Sequence, residues 1–123
     1  RWIDANFVHH AHARAAVPGN PINTWAKHPD GRFGRGIQYP FMRPNPGEYL
    51  ADWDESRLEP WKRVMRDLLA HHATHADSPI GQISCEHIPA IDYGAGHTYS
   101  IFENNVACAH WLRQEWANAL AAA

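Results

Sequence analysis

The chain has 123 residues and a formal net charge of −2, from 11 basic and 13 acidic residues with the histidines taken as neutral. A general nucleic-acid or membrane-surface binder carries a basic excess, so neither nucleic acid nor a membrane surface is an expected partner. No apolar run approaches the roughly 18 residues that a membrane-spanning helix needs.

The cysteine pattern bears on the cellular compartment. Cys85 and Cys108 are far apart in the sequence and lack the C-x-x-C spacing. This pattern does not indicate a disulfide framework, and it favours a reducing, cytoplasmic setting. The chain also begins with Arg1 rather than Met, and a strand-like segment follows almost at once. We therefore expect a processed chain or one part of something larger.

The first predicted element is a strand over about residues 5–14 (ANFVHHAHAR). Because side chains alternate between the two faces of a strand, His10, His12 and Arg14 share one face, toward its C-terminal end. A strand that faces solvent would give the same pattern.

Residues 15–53 are predicted to form a long loop. This segment holds most of the chain's nine prolines, a density that excludes a continuous helix or a central strand. Several aromatic residues, Trp25 among them, also lie here. Loops of this length inside compact domains are usually functional, so we interpret the segment as a binding loop, with a structural wrap as the alternative.

A helix is predicted over about residues 60–75, because Pro60 suits a first helical turn and apolar residues then recur at helical spacing. The predicted apolar stripe comprises Trp61, Val64, Met65, Leu68 and Leu69, with Lys62, Arg63, Arg66 and Asp67 on the other side. The histidines at the end of this helix, His71, His72 and His75, are interpreted as a solvated helix end rather than as a metal site.

A second strand is predicted over about residues 80–88 (IGQISCEHI), with Ile83 and Cys85 on one face and Glu86 on the other. Ser100 and Glu103 then form an S-x-x-E capping box, which predicts the start of a helix over about residues 101–120.

This order of elements predicts an α/β fold with a parallel sheet. Polar residues gather where both strands end, as in a (β/α)8 barrel, which builds its site at the C-terminal ends of its strands. An open doubly wound sheet is the alternative, but no G-x-G-x-x-G fingerprint follows either strand. A complete barrel takes about 250 residues. We therefore predict that residues 1–123 are a single partial domain, two βα units of a barrel that another chain or a missing N-terminal part completes.

Three segments carry a resemblance to a known superfamily: HAHAR (residues 10–14), ISCEHIP (residues 83–89) and DYGAGHTYSIFEN (residues 92–104). They resemble the last two βα units of the xylose-isomerase-like TIM barrels. That superfamily includes sugar isomerases and epimerases, sugar phosphate isomerase/epimerase-type proteins, inosose dehydratase-like enzymes and endonuclease IV. The resemblance covers nearly the whole chain, but only about the C-terminal third of such a barrel.

The resemblance implies a divalent-metal site. His12 matches the histidine ligand on the seventh strand of these barrels, and Glu86 matches the glutamate on the eighth strand. Arg14 lies where related epimerases place an arginine that contacts the substrate, at a shorter spacing from the histidine. The other ligands of the family belong to the fifth and sixth strands, which this chain does not include.

The residue types suit this chemistry. A nitrogen donor from His12 and an oxygen donor from Glu86 fit Mn²⁺, Mg²⁺, Co²⁺ or Zn²⁺, and such an ion acts as a Lewis acid beside a sugar carbonyl. Glu86 is the predicted catalytic residue, because a carboxylate can move a proton between adjacent carbons. His10 is predicted to bind a substrate hydroxyl or to orient a ligand, and Trp25 to stack on a sugar face.

The expected function is thus a metal-dependent isomerase or epimerase that acts on a sugar or polyol, with a second chain supplying the remaining strands. One alternative is a non-catalytic subunit or fragment that completes a partner's barrel. Another is a phosphodiester hydrolase like endonuclease IV, which the negative net charge disfavours and the basic loop residues Lys27, Arg32, Arg35 and Arg43 favour. When each residue is considered alone, His12 is interpreted as a hydrogen-bonded core histidine and Glu86 as a solvent-facing residue.

Overall fold

The computed structural model describes residues 2–17, 29–32, 38–49, 51–75, 77, 80–88 and 97–123. Its elements are strand β1 (His10–Ala13), a 3-10 turn (Glu55–Leu58), helix α1 (Glu59–Ala73), strand β2 (Gln82–Cys85) and helix α2 (Ile101–Ala122). The strands pair in parallel, with Ala11 opposite Ile83 and Ala13 opposite Cys85. The described residues thus form a mixed α/β arrangement with a two-stranded parallel sheet. Two strands are too few to show barrel units, and the barrel stays a prediction.

Both strands are shorter than the sequence pattern indicates. Before β1 the chain turns, with the Phe7 N–H donating to the Trp2 carbonyl at 3.1 Å and Asn6 at a φ of 57°. One hydrogen bond continues the ladder at each end of the pair: the Gly81 N–H donates to the His9 carbonyl at 2.9 Å, and the Glu86 N–H donates to the Ala13 carbonyl at 3.0 Å. Periodicity predicts which residues can form a strand, whereas the length of the pair is set by where its partner ends.

Helix α1 lies close to its predicted bounds, but its buried stripe is rotated. Val64 is 56% exposed, whereas Lys62 is only 8% exposed, so the predicted faces of these two residues were wrong. The Lys62 ammonium lies 5.3 Å from the ring centroid of Phe41 and 5.7 Å from that of Trp111. The ammonium group also lies 3.5 Å from Glu55 Oε1, and these contacts account for a lysine on the buried side of α1.

Helix α2 begins as the capping box predicts. The Ser100 hydroxyl accepts a hydrogen bond from the Glu103 N–H at 3.1 Å. The helix ends at Ala122 rather than near residue 120. None of the helices in the described part of the chain is long and apolar enough to cross a membrane.

The main core lies between one face of the sheet and the two helices. Its buried members are Ala13, Met65, Leu68, Leu69, Cys108 and Leu112. Ile83 and Cys85, from the face of β2 that the alternation assigned to the interior, pack against them. Both cysteines are free thiols. Because both helices cover the same face of the sheet, no helix or strand of the described residues covers its other face.

A second cluster lies around the part of the long loop that the structure describes. Tyr39 is fully buried there, and its hydroxyl accepts from the Asp54 N–H at 2.6 Å. The Trp53 indole donates to the Pro40 carbonyl at 2.9 Å. Residues 38–49 contain no helix or strand, as the proline density predicts, and they pack through aromatic side chains. Trp25 lies outside the described residues.

Candidate functional site

The open face of the sheet is polar because of strand alternation. In the parallel register His10 lies opposite Gln82 and His12 lies opposite Ser84, so these four side chains share the face that the helices leave uncovered. Glu86 follows Ser84 by two residues and continues the same row. The apolar partners on the same strands point into the core. One face of the two-stranded sheet therefore packs in the core, and the other presents polar side chains.

The structure brings the two predicted metal ligands together. His12 Nδ1 lies 2.9 Å from Glu86 Oε2, although the two residues are far apart in the sequence. The His12 side chain is 54% exposed and that of Glu86 is 33% exposed, so the pair is open to a ligand from solvent. Both residues lie at the C-terminal ends of adjacent parallel strands, which is where the sequence pattern places them.

His10, the predicted substrate or orienting residue, lies beside His12. The two imidazole ring centroids are 4.9 Å apart, with planes at 62°. Ser84 Oγ lies 3.5 Å from His10 Nε2 and accepts a hydrogen bond from Gln82 Nε2 at 2.8 Å. The open face thus carries a row of polar groups that adjoins the His12–Glu86 pair.

Arg14, the predicted substrate-contacting arginine, lies one residue beyond β1 and is half-buried. Its N–H donates to the His12 carbonyl at 3.2 Å, so the chain turns as it leaves the strand. Burial lowers the pKa of His87, and the positive charge of Arg14 lowers it further. The predicted role of Trp25 stays a prediction.

Two carboxamide side chains hold the residues that follow Glu86. Asn105 Oδ1 accepts from the His87 N–H at 2.8 Å, and Asn105 Nδ2 donates to the His87 carbonyl at 3.0 Å. Gln38 makes the same pair of bonds to Ile88, with its Oε1 accepting at 3.0 Å and its Nε2 donating at 2.8 Å. Sequence analysis missed both residues, because neither belongs to a local motif and their partners are distant in the chain.

The distance between the two donor atoms fits a divalent ion. In an octahedral site, two adjacent ligands at about 2.0–2.1 Å from the ion lie at right angles, and their donor atoms are then about 2.9 Å apart. Nδ1 and Oε2 have that separation. It also equals the length of an N–H···O hydrogen bond, so a proton on Nδ1 and a metal ion compete for the same position. Within the described ranges no group of three or more His, Cys, Asp or Glu side chains could hold a metal ion, so any remaining ligands lie outside those ranges.

The histidines at the end of α1 are less solvated than predicted. His72 is only 2% exposed, and its Nε2 donates to the Val8 carbonyl at 2.7 Å. His71 is half-buried, with its Nε2 3.2 Å from Asn6 Oδ1, while His75 is exposed. His71 and His72 therefore help to attach the N-terminal turn to α1, and the prediction of a solvated end holds for His75 alone.

No protein-family model, curated protein or solved structure matches this chain. The resemblance to the xylose-isomerase-like barrels therefore stays a prediction that depends on the three sequence segments and on the residues they contain.

Proposed function

We propose that this chain contributes part of a divalent-metal-dependent active site that isomerises or epimerises a sugar or polyol, with His12 and Glu86 as two of the ligands. The single observation that carries the proposal is the 2.9 Å separation of their donor atoms on the open, polar face of two parallel strands.

The chain's own groups suit proton transfer on a polyhydroxylated substrate. The metal would supply Lewis acidity, which stabilises negative charge as it develops on a substrate oxygen. Glu86 Oε2 faces His12, so Oε1 is the oxygen that meets the substrate and moves a proton between adjacent carbons. His10 and Ser84, next to the pair, are groups that can hydrogen-bond substrate hydroxyls.

The proposal includes a second chain or segment that completes the sheet. Among the described residues each strand has a hydrogen-bonded partner along one edge only, since the sheet consists of β1 and β2. Unpaired parallel edges are rarely left open in stable proteins. The open face that bears His12 and Glu86 would then line the interior of a closed barrel, where additional ligands can converge on it.

The experiment measures metal binding and proton exchange in one preparation, in which the chain is purified together with the chain or segment that completes its sheet. Titration calorimetry with Mn²⁺ and Zn²⁺ is expected to show binding that His12→Ala and Glu86→Gln each weaken by about tenfold or more, since each removes one ligand. Incubation with a panel of aldoses, ketoses and polyols in D₂O is expected to place deuterium on the carbon next to a carbonyl. Glu86→Gln is expected to abolish this exchange, which NMR detects.

The matched controls remove a histidine and a carboxylate at positions outside the candidate site. His110→Ala deletes an exposed histidine of α2, and Glu103→Gln deletes a carboxylate at a capping-box position where glutamine is equally suitable. Both are expected to keep metal affinity and exchange unchanged. If Glu86→Gln keeps both properties, the site assignment is wrong. Metal binding without exchange on any substrate would instead favour a non-catalytic, barrel-completing subunit.

A further inference from the structure

We propose that Asn105 and Gln38 are positioning residues, which fix the backbone after Glu86 and thereby hold its carboxylate against His12. The inference rests on the proposed function of the His12–Glu86 pair, which it extends to the groups that set the pair's geometry. We refer to Asn105 and Gln38, with their bonds to His87 and Ile88, as the carboxamide clamp.

The backbone of Glu86 is held from both sides. The peptide before it is fixed because the Glu86 N–H donates to the Ala13 carbonyl at 3.0 Å. The peptide after it is fixed because the His87 N–H donates to Asn105 Oδ1 at 2.8 Å. These two peptides set φ and ψ of Glu86, and with them the direction in which its side chain leaves the backbone.

The clamp takes the place of a strand partner that β1 does not provide. The β1–β2 pairing ends at Ala13 and Cys85, and β1 then turns away at Arg14. Beyond that point the N–H and carbonyl groups of His87 and Ile88 pair with carboxamides, each of which donates and accepts as a backbone amide does. His87 is buried, so leaving its backbone groups unpaired would be costly.

The clamp is anchored in the first turns of α2. The neighbouring Asn104 is buried, and its Oδ1 accepts from the N–H groups of Phe41 and Met42 at 2.7 and 2.9 Å. Asn104 thus pairs backbone groups that lie three and four residues beyond Gln38, whereas Asn105 on the same helix pairs the residue after Glu86. The residue next to Gln38 is held separately, because the Tyr39 N–H donates to the Ala15 carbonyl at 3.0 Å.

Asn104 provides the matched control. Asn105→Ala and Asn104→Ala each remove a carboxamide from adjacent positions of the same helix, and each leaves backbone groups unpaired. Only Asn105→Ala releases the peptide after Glu86. A purely structural role predicts equal effects from the two variants on the His12–Glu86 pair, whereas a positioning role predicts an effect from Asn105→Ala alone.

The experiment uses NMR to monitor the carboxamide clamp and Mn²⁺ affinity to monitor the His12–Glu86 pair, both on the same protein. In Asn105→Ala we expect the His87 amide to exchange with solvent about tenfold faster or more, and the NOE between the His12 ring and the Glu86 side chain to disappear. Mn²⁺ affinity should fall about 10- to 100-fold, the usual effect of losing a group that orients a ligand. In Asn104→Ala the NOE and the affinity should remain.

If Asn105→Ala does not fold, a substitution at Gln38 tests the same proposal. Gln38→Ala removes both bonds to Ile88 and should weaken the NOE. The proposal is overturned if Asn105→Ala or Gln38→Ala keeps both the NOE and the wild-type Mn²⁺ affinity. A wild-type protein that binds no Mn²⁺ would refute the proposed function instead, and the clamp would then be judged from the NOE and amide exchange alone.

Discussion

At the scale of single residues, His72 shows a histidine that acts as part of the core. Its Nε2 donates to the Val8 carbonyl at 2.7 Å, and its side chain is almost completely buried. His72→Ala removes the donor of this part-buried hydrogen bond, so we expect a loss of about 1–3 kcal/mol in the free energy of unfolding. Urea denaturation measures it. His110→Ala, at an exposed position, should change that free energy by less than about 0.5 kcal/mol, and equal losses in the two variants would contradict this role for His72.

The candidate site could be predicted only in part from the residues themselves. His12 and Glu86 could be placed at the ends of strands because alternation and strand order are local patterns. Gln38 and Asn105 could not, since each binds a backbone group far along the chain and neither makes a bond that sequence spacing reveals. Lys62 was assigned to the wrong face for a similar reason, because the aromatic rings that receive it come from other segments.

At the scale of elements, the start of α2 depends on one hydroxyl. Ser100 Oγ accepts from the Glu103 N–H, which would otherwise lack a partner in the first turn. Ser100→Ala is expected to reduce the free energy of unfolding by about 0.5–2 kcal/mol, and Ser100→Asp to restore most of it, since aspartate is an equally good N-cap. Thermal and urea denaturation measure both. Equal stabilities of the alanine and aspartate variants would contradict a capping role.

The helices could be predicted closely from the sequence, whereas the strands could not be bounded. A helix satisfies its hydrogen bonds within its own segment, so an apolar period and a capping box mark most of its length. A strand depends on a partner, and the pairing here stops where the chain turns at Arg14. Residues 5–9 have a strand-like composition, but the pairing with β2 in the described part of the chain begins at His10, preceded by the bond from the Gly81 N–H to the His9 carbonyl.

At the scale of the whole molecule, three histidines make stability depend on pH. Burial lowers the pKa of His71, His87 and His97 below the ordinary value of 6.5, and for His71 the neighbouring His75 and His72 lower it further while Asp4 opposes them. Below about pH 6.5 the unfolded chain binds protons that the folded chain does not, so stability falls as the pH falls.

Urea denaturation at pH 7.5 and at pH 5.5 tests this dependence. We expect a lower free energy of unfolding at pH 5.5, and a smaller difference between the two pH values in His71→Asn. The lowered pKa values of the Asp54 and Glu59 carboxyls add a loss in the same direction, but only at more acidic pH. A protein that is as stable at pH 5.5 as at pH 7.5 would contradict the assignment.

The one-sided sheet also has a consequence for how this molecule can evolve or be redesigned. Along β1 and β2, residues that hold the core alternate with residues that face outward, so each strand encodes folding and chemistry at separate positions. Exchanging His10, Gln82 or Ser84 alters the polar face without changing the volume of the core. Substitutions confined to these three positions should therefore leave the protein folded, whereas Ala11 and Ala13, on the other face of the sheet, pack in the core and limit how far β1 itself can change.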